Sequence, residues 1–137
     1  MTIDEIEKFS ETIIEFYEKL YSWEMEVARN SGLSPQQNHT IDIVGHAGPI
    51  RMKPLAGKLS ITTGTLTVMV DRLEKLGYVT REKDPADGRG FNIILTDKGK
   101  QIHREHHAFH LKLAQDIISS LDQEKALLFS EMLQHIN

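Results

Sequence analysis

The sequence predicts a mostly α-helical protein with one small β-hairpin. Apolar residues recur every three or four positions in long segments at both ends of the chain. Helix-starting and helix-ending residues divide the middle into shorter helices, and one pair of short apolar runs flanks a loop rich in Asp and Gly. A chain of 137 residues, 39% of them hydrophobic, has the size and apolar content of one folded domain.

Two helices are predicted in the first third of the chain. The first covers residues 3 to about 29, where apolar residues at helical spacing alternate with acidic ones. The second begins at Pro35 and ends near Gly48. Ser34 is a favourable N-cap for it, proline suits the first helical position, and Gln37 completes a capping box with Ser34.

The middle of the chain continues with two shorter helices. One is predicted around Pro54–Leu59, and a turn rich in capping residues follows at residues 60–63. The next helix runs through Leu66 and Leu73 and is closed by Gly77. The two short helices are therefore separated by only a tight turn.

A hairpin and two more helices complete the chain. Residues 78–81 and 91–95 are predicted strands, because both are apolar and rich in β-forming residues, and residues 84–90 form the charged loop between them. A long helix starts at residues 96–97 and reaches about Ser120. The last helix starts at residues 121–122 and carries apolar residues to Ile136.

This order of elements is that of a winged helix-turn-helix: a short helix, a tight turn, a second helix and a two-stranded hairpin. In that fold the second helix of the pair enters the major groove of DNA, and the hairpin tip reaches phosphates or the minor groove. Hydroxyl side chains near the start of that helix are candidate phosphate and base contacts, and they are Thr62, Thr63, Thr65 and Thr67. The alternative is that these threonines only cap the helix and cover its surface.

The charge distribution favours a polyanionic partner for the middle of the chain alone. The net charge is -4, yet residues 51–100 contain ten Lys/Arg and six Asp/Glu, whereas the remaining residues contain six and fourteen. A solvated surface of uneven composition is the alternative.

The absence of cysteine excludes disulfides, thiol catalysis and thiolate metal sites. No apolar run has the length of a transmembrane helix and the N-terminus is unlike a signal peptide, so a cytoplasmic protein is expected.

Four segments between residues 33 and 100 carry a family resemblance, and they are Leu55–Thr62, Thr65–Val79, Asp84–Arg89 and Leu95–Gly99. The resemblance is to the MarR family of bacterial transcription regulators. It implies a homodimer, with residues 1–32 and 97–137 as the helical dimerisation region, residues 33–96 as the DNA-binding winged helix-turn-helix, and the two intertwined in one domain. It also implies double-stranded operator DNA as the partner and repression as the function. The candidate DNA-binding residues are Thr62, Thr63, Thr65, Thr67, Arg72 and Arg89.

Two positions depart from the family pattern. The wing motif of the family usually has two arginines, and Gly88 stands at the first of them, with Arg89 at the position implied to contact the minor groove. Val68 stands where a polar, often basic, residue is common. Both departures predict weaker binding or the reading of a different base.

Four of the seven histidines lie between residues 103 and 110. On a helix, His106 and His110 are an i,i+4 pair on one face, as are His103 and His107. Zinc takes four N, O or S ligands. The zinc-responsive branch of the MarR family looks similar here, and the resemblance implies a Zn²⁺ corepressor site whose ligands are Glu24, His39, His106 and His110. The alternative is a His-rich helix without metal, in which His106 is a hydrogen-bonded core residue.

Other functions have weaker support in the sequence. No HExxH motif, glycine-rich phosphate loop or catalytic triad is present, and Asp42 is the only candidate general base for a metal-dependent hydrolase, so an enzyme is not expected. If the protein binds DNA, the alternative to zinc is a small aromatic or phenolic ligand that releases it from DNA. This ligand would bind near Tyr17, Tyr21 and Trp23. A winged-helix protein-interaction module that does not bind DNA is the alternative of another class.

Overall fold

The computed structural model describes residues 1–137, which form six helices and one three-stranded antiparallel sheet. The elements in chain order are α1 (Ile3–Ser31), α2 (Pro35–Ala47), β1 (Ile50–Arg51), α3 (Met52–Leu59), α4 (Thr63–Lys75), β2 (Val79–Lys83), β3 (Phe91–Leu95), α5 (Asp97–Ser119) and α6 (Gln123–Ile136). The mostly helical fold with a small hairpin is therefore confirmed. None of the helices combines the length and the apolar character needed to cross a membrane.

The helix ends lie where capping chemistry predicts them. Ser34 and Gln37 form the expected capping box, in which the Ser34 hydroxyl accepts from the Gln37 N–H at 3.1 Å and the Gln37 side chain accepts from the Ser34 N–H at 2.9 Å. A second capping box, formed by Thr2 and Glu5, starts α1. Helix α1 ends at Gly32, whose φ of 71° is in the left-handed region that glycine adopts without strain.

The sheet has one strand more than the predicted hairpin. Strands β2 and β3 pair as expected, from Val79 opposite Leu95 to Lys83 opposite Phe91. The two-residue β1 pairs with the other edge of β3, so the strand order is β1-β3-β2. The sequence analysis did not predict β1, because two residues are too few to show the alternation by which a strand is recognised in a sequence.

The chain forms two compact units, Met1–His103 and Arg104–Asn137. The first unit contains every element from α1 to β3 together with the start of α5. Its core packs α2, α3 and α4 against the sheet, and its buried apolar residues are Leu33, Ile41, Val44, Ile50, Leu55, Ala56, Leu66, Val70, Leu73, Tyr78, Val79, Ile93 and Leu95.

The second unit contains the rest of α5 and all of α6. Asp122 caps α6 by accepting a hydrogen bond from the Lys125 N–H at 2.9 Å. The Lys125 ammonium group and then this backbone bond lower the pKa of Asp122. No residue of α6 is buried within the single chain. Its exposed apolar side chains, Leu127, Leu128, Met132, Leu133 and Ile136, are therefore available to another surface.

Candidate nucleic-acid interface

The N-terminal part of α4 presents the candidate base-reading residues to solvent. Leu66, Val70 and Leu73 anchor the helix in the core, and the four candidate threonines are all exposed. Thr62 is the N-cap and Thr63 is the first helical residue. Since a helix N-terminus carries partial positive charge and unpaired N–H groups, this end of α4 is suited to contact a phosphate.

The threonine hydroxyls differ in how far the helix itself uses them. Thr62 accepts from the Thr65 N–H at 3.2 Å and donates to the Thr65 hydroxyl at 3.0 Å, and Thr67 donates to the Thr63 carbonyl at 2.8 Å. A hydroxyl that already donates can only accept from a nucleic acid. Thr63, whose hydroxyl forms no hydrogen bond in the protein, remains able to donate to a phosphate oxygen.

The tip of the hairpin, residues 84–90, is held in one shape by hydrogen bonds. Its ends are joined by the Asp84 N–H, which donates to the Gly90 carbonyl at 2.9 Å. The Asp84 carboxylate accepts from the Ala86 N–H at 2.9 Å, and the Asp87 carboxylate accepts from the Arg89 N–H at 3.1 Å. These are the short local bonds by which Asp shapes turns. The charged loop predicted from the sequence is thus an ordered wing tip.

Arg51 of β1 clamps the same tip, and the sequence did not single it out. Its Nε and Nη2 donate to the Asp84 carboxylate, each at 3.0 Å, and Nη2 lies 3.3 Å from the Asp87 carboxylate. A Cβ on Gly90 would overlap the Arg51 guanidinium, so the clamp depends on glycine there. In the sequence, Arg51 is recognisable only as one of the basic residues of the net-positive segment 51–100, and this does not indicate its partners.

The contacts of the wing tip also favour the charged form of the Asp84 carboxylate. The N–H of Ala86 and then the Arg51 guanidinium lower the pKa of Asp84 below its usual range. A carboxylate with a lowered pKa stabilises the folded state above its unfolded pKa of about 4, and the stabilisation is lost as the pH falls through the lower folded value. The tip is therefore fully clamped at neutral pH.

Three arginines near α4 and the wing have different surroundings. Arg81 is paired with Asp71 at 2.5 Å and with Glu74 at 2.9 Å, so it joins β2 to α4. Arg72 and Arg89 are exposed and form no ion pair. These two, predicted as DNA contacts, are available to phosphates or base edges. Gly88 has no positive φ and nothing within 4 Å of a Cβ.

The predicted zinc ligands belong to both units. Glu24, which is partly buried, and His39, which is exposed, lie on α1 and α2 of the first unit. His106, which is 4% exposed, and His110, which is exposed, lie on α5 in the second unit, with their ring centroids 4.3 Å apart. The predicted i,i+4 histidine pair therefore exists on α5.

His103 has a structural role that its spacing did not reveal. Its Nδ1 is 3.0 Å from the carboxylate of the buried Asp42, which joins the start of α5 to α2. A Cβ on Gly45 would lie 2.6 Å from the His103 ring, so glycine allows the ring to lie against α2. The ring of His46 packs edge-on against it at 4.8 Å. Asp42, the candidate general base, is thus engaged with a histidine.

A small apolar pocket opens beside this contact in the first unit. It has a volume of about 280 Å³ and is lined by Val44, Gly45, Gly48, Pro49, Ile94, Leu95, Lys100 and His103. The aromatic residues expected near an organic ligand do not line it. Tyr17 and Tyr21 stack on each other on the exposed side of α1, with ring centroids 6.2 Å apart.

Sequence comparison relates this chain to known regulators. Residues 33–91 match the model of the MarR family. The HTH-type transcriptional regulator YcgE of Bacillus subtilis (strain 168) is 40% identical over 103 residues, which are 72% of this chain and 65% of YcgE. YkoM of the same organism, also described as an HTH-type transcriptional regulator, is 28% identical over 61% of this chain. The matches span 65% and 54% of the lengths of these two relatives.

Structural comparison extends the similarity to almost the whole chain. FabT of Streptococcus pneumoniae, solved in complex with DNA, has a TM-score of 0.86 and 26% identity, and the alignment covers 96% of this chain and 94% of FabT. The matched proteins and family are transcriptional regulators, and none is an enzyme, in agreement with the prediction. The similarity includes the helices on both sides of the winged helix.

Proposed function

We propose that this chain is a winged-helix transcriptional regulator of the MarR family, which it resembles in sequence over residues 33–91 and in fold, and that it binds double-stranded operator DNA as a cytoplasmic homodimer and represses transcription. The observation that carries this proposal is the joint geometry of α4 and the wing. Helix α4 exposes a threonine-rich N-terminal turn and Arg72, and the ordered wing tip exposes Arg89. A recognition helix and a wing that both offer cations and hydrogen-bonding groups match the winged-helix mode of DNA binding.

The proposed homodimer is supported by the apolar surface of the terminal helices. Soluble monomers rarely expose large contiguous apolar patches. The large apolar residues exposed on α1 are Ile3, Ile6, Phe9, Ile13, Ile14, Tyr17, Tyr21 and Met25, and those on α6 are Leu127, Leu128, Met132, Leu133 and Ile136. A two-fold dimer would bury such surfaces and repeat the recognition helix about 34–36 Å away, one turn of DNA.

The experiment is a DNA-binding titration with duplexes selected by the protein from a random-sequence library. We expect the affinity for the selected duplex to fall by about 10³ to 10⁵ between roughly 50 and 200 mM salt if six to ten phosphates are contacted. Light scattering of the same sample is expected to give the mass of a dimer. A monomer at micromolar concentration would contradict the dimer. If the protein selects no duplex from the library, the alternative function, a winged-helix module that binds proteins and not DNA, would be favoured.

We also propose Zn²⁺ as a corepressor bound by Glu24, His39, His106 and His110. Two features support it: the His106–His110 pair on α5 and the resemblance to zinc-responsive members of the family. Imidazole and carboxylate groups are suitable zinc ligands, and four of them complete its usual coordination. Zinc held by residues of three helices would favour one arrangement of those helices, and a ligand that binds the DNA-competent state better shifts the population towards it.

His110→Ala tests this proposal, with His107→Ala as the matched control on the neighbouring face of α5. In the unmodified protein, zinc is expected to tighten DNA binding about 5- to 150-fold, the usual range of allosteric coupling. His110→Ala is expected to lose this gain and His107→Ala to keep it, measured by titrations with zinc and with a chelator. His110 is exposed, so its removal leaves the fold intact. His103→Ala is not a suitable control, because it removes the contact with Asp42.

The outcomes also separate zinc from an organic effector. Equal zinc affinity in both variants would show that the ligand set is wrong. Zinc binding without any change in DNA affinity would make the ion structural and favour release by a small aromatic or phenolic ligand. The apolar pocket of about 280 Å³ with Lys100 and His103 in its lining supports that alternative, since an apolar cavity with few polar groups suits a small amphipathic ligand.

A further inference from the structure

Val68 is a large apolar residue on the outward side of α4. It is 71% exposed, whereas Leu66, Val70 and Leu73 of the same helix are fully buried. With 3.6 residues per turn, position 68 lies opposite that buried stripe. Surface positions of a helix are usually polar, and a β-branched residue adds no helix propensity there. Neither packing nor helix stability explains valine at this position.

Gly64 lies one turn before Val68 on the same side of α4. Its backbone has no positive φ, and a Cβ there would meet only the Thr62 hydroxyl, at 3.9 Å. Glycine in a helix is less favourable than alanine by about 1 kcal/mol. Nothing within the protein therefore requires glycine at position 64. Because glycine has no side chain, the surface beside Val68 stays open, which allows another molecule to contact Val68 closely.

We infer that Val68 is a specificity-determining residue that contacts the C5-methyl group of a thymine in the major groove. The inference rests on the proposed function. Thymine is the only standard base that presents a methyl group in the major groove, and apolar side chains read it by direct contact. The exposed isopropyl group of Val68 has the matching chemistry and offers no hydrogen bond to any other base. Thr65 and Arg72, at i-3 and i+4, are exposed beside it and supply polar contacts to its neighbours.

The test replaces thymine by deoxyuridine, which lacks only the methyl group. A duplex selected by the protein from a random library is resynthesised with one thymine at a time, in both half-sites, changed to deoxyuridine. Loss of one buried methyl contact is worth about 0.8 kcal/mol, or roughly fourfold in affinity, for each half-site. We expect a loss of about 15-fold at one symmetric pair of thymines, because the two half-site effects multiply, and little change at thymines outside the contact.

Val68→Ala supplies the second arm of the test. This variant is expected to bind the thymine and deoxyuridine duplexes equally, with an unchanged melting temperature because the side chain is exposed. If the variant retains the full discrimination, or the unmodified protein shows none, the inference about Val68 is overturned while DNA binding stands. If the unmodified protein selects no duplex, the proposed function itself fails. The two failures are therefore distinguishable.

Discussion

Arg89→Ala is expected to weaken binding to the selected duplex by about 1–3 kcal/mol, or roughly 5- to 150-fold. Arg89 is exposed, forms no ion pair and projects from a tip whose backbone is held by Asp84 and Asp87. A tip whose backbone is already held loses little backbone freedom when its arginine enters a narrow minor groove, where the negative potential is enhanced. Fluorescence anisotropy on one labelled duplex measures the change.

Gly88→Arg adds a cation to the wing tip, whereas Arg89→Ala removes one. The backbone at Gly88 has no positive φ and there is open space around it, so arginine is accommodated without strain and restores the second cation of the wing motif. We expect tighter binding and a steeper dependence on salt, by about one unit of log–log slope for each added phosphate contact. Unchanged binding in both variants would mean that the wing does not reach the DNA.

Gly99→Ala is expected to destabilise the first unit by about 1–3 kcal/mol, the usual cost of overpacking, or more. Gly99 is buried in the first turn of α5, and a Cβ there would overlap the carbonyl oxygen of Tyr78. The obstacle is backbone, which cannot rotate away as a side chain can. Urea unfolding at fixed protein concentration measures the loss, since the stability of an oligomer depends on concentration.

Gly88→Ala is the control for this substitution, because the same added methyl group meets nothing there. Its midpoint of urea unfolding is expected to match that of the unmodified protein. Two residues next to Gly99 hold the start of α5 close to the segment that precedes β2. Lys98 donates to the Leu76 carbonyl at 2.8 Å and Thr96 donates to the Gly77 carbonyl at 2.5 Å. A midpoint for Gly99→Ala equal to that of the control would show that α5 and the Tyr78 segment do not pack this closely.

The sequence by itself determined the local structure. Capping residues, helical periodicity and a turn-rich loop act over a few neighbouring positions, so Ser34, Gly48 and the loop at residues 84–90 located element ends correctly to within a few residues. The same local order of elements was sufficient to recognise the winged helix-turn-helix, whereas Arg72 and Arg89 were named through the resemblance to the MarR family.

Only the tertiary structure decided which distant residues meet. Strand β1, the Arg51 clamp on Asp84, the His103–Asp42 contact and the glycines beneath these side chains join positions 33 to 61 residues apart along the chain. No periodicity or motif encodes such pairs, because they arise when α2, the sheet and the start of α5 pack into one core. Burial there also distinguishes a histidine that holds two elements together from one that faces solvent, although both carry the same side chain.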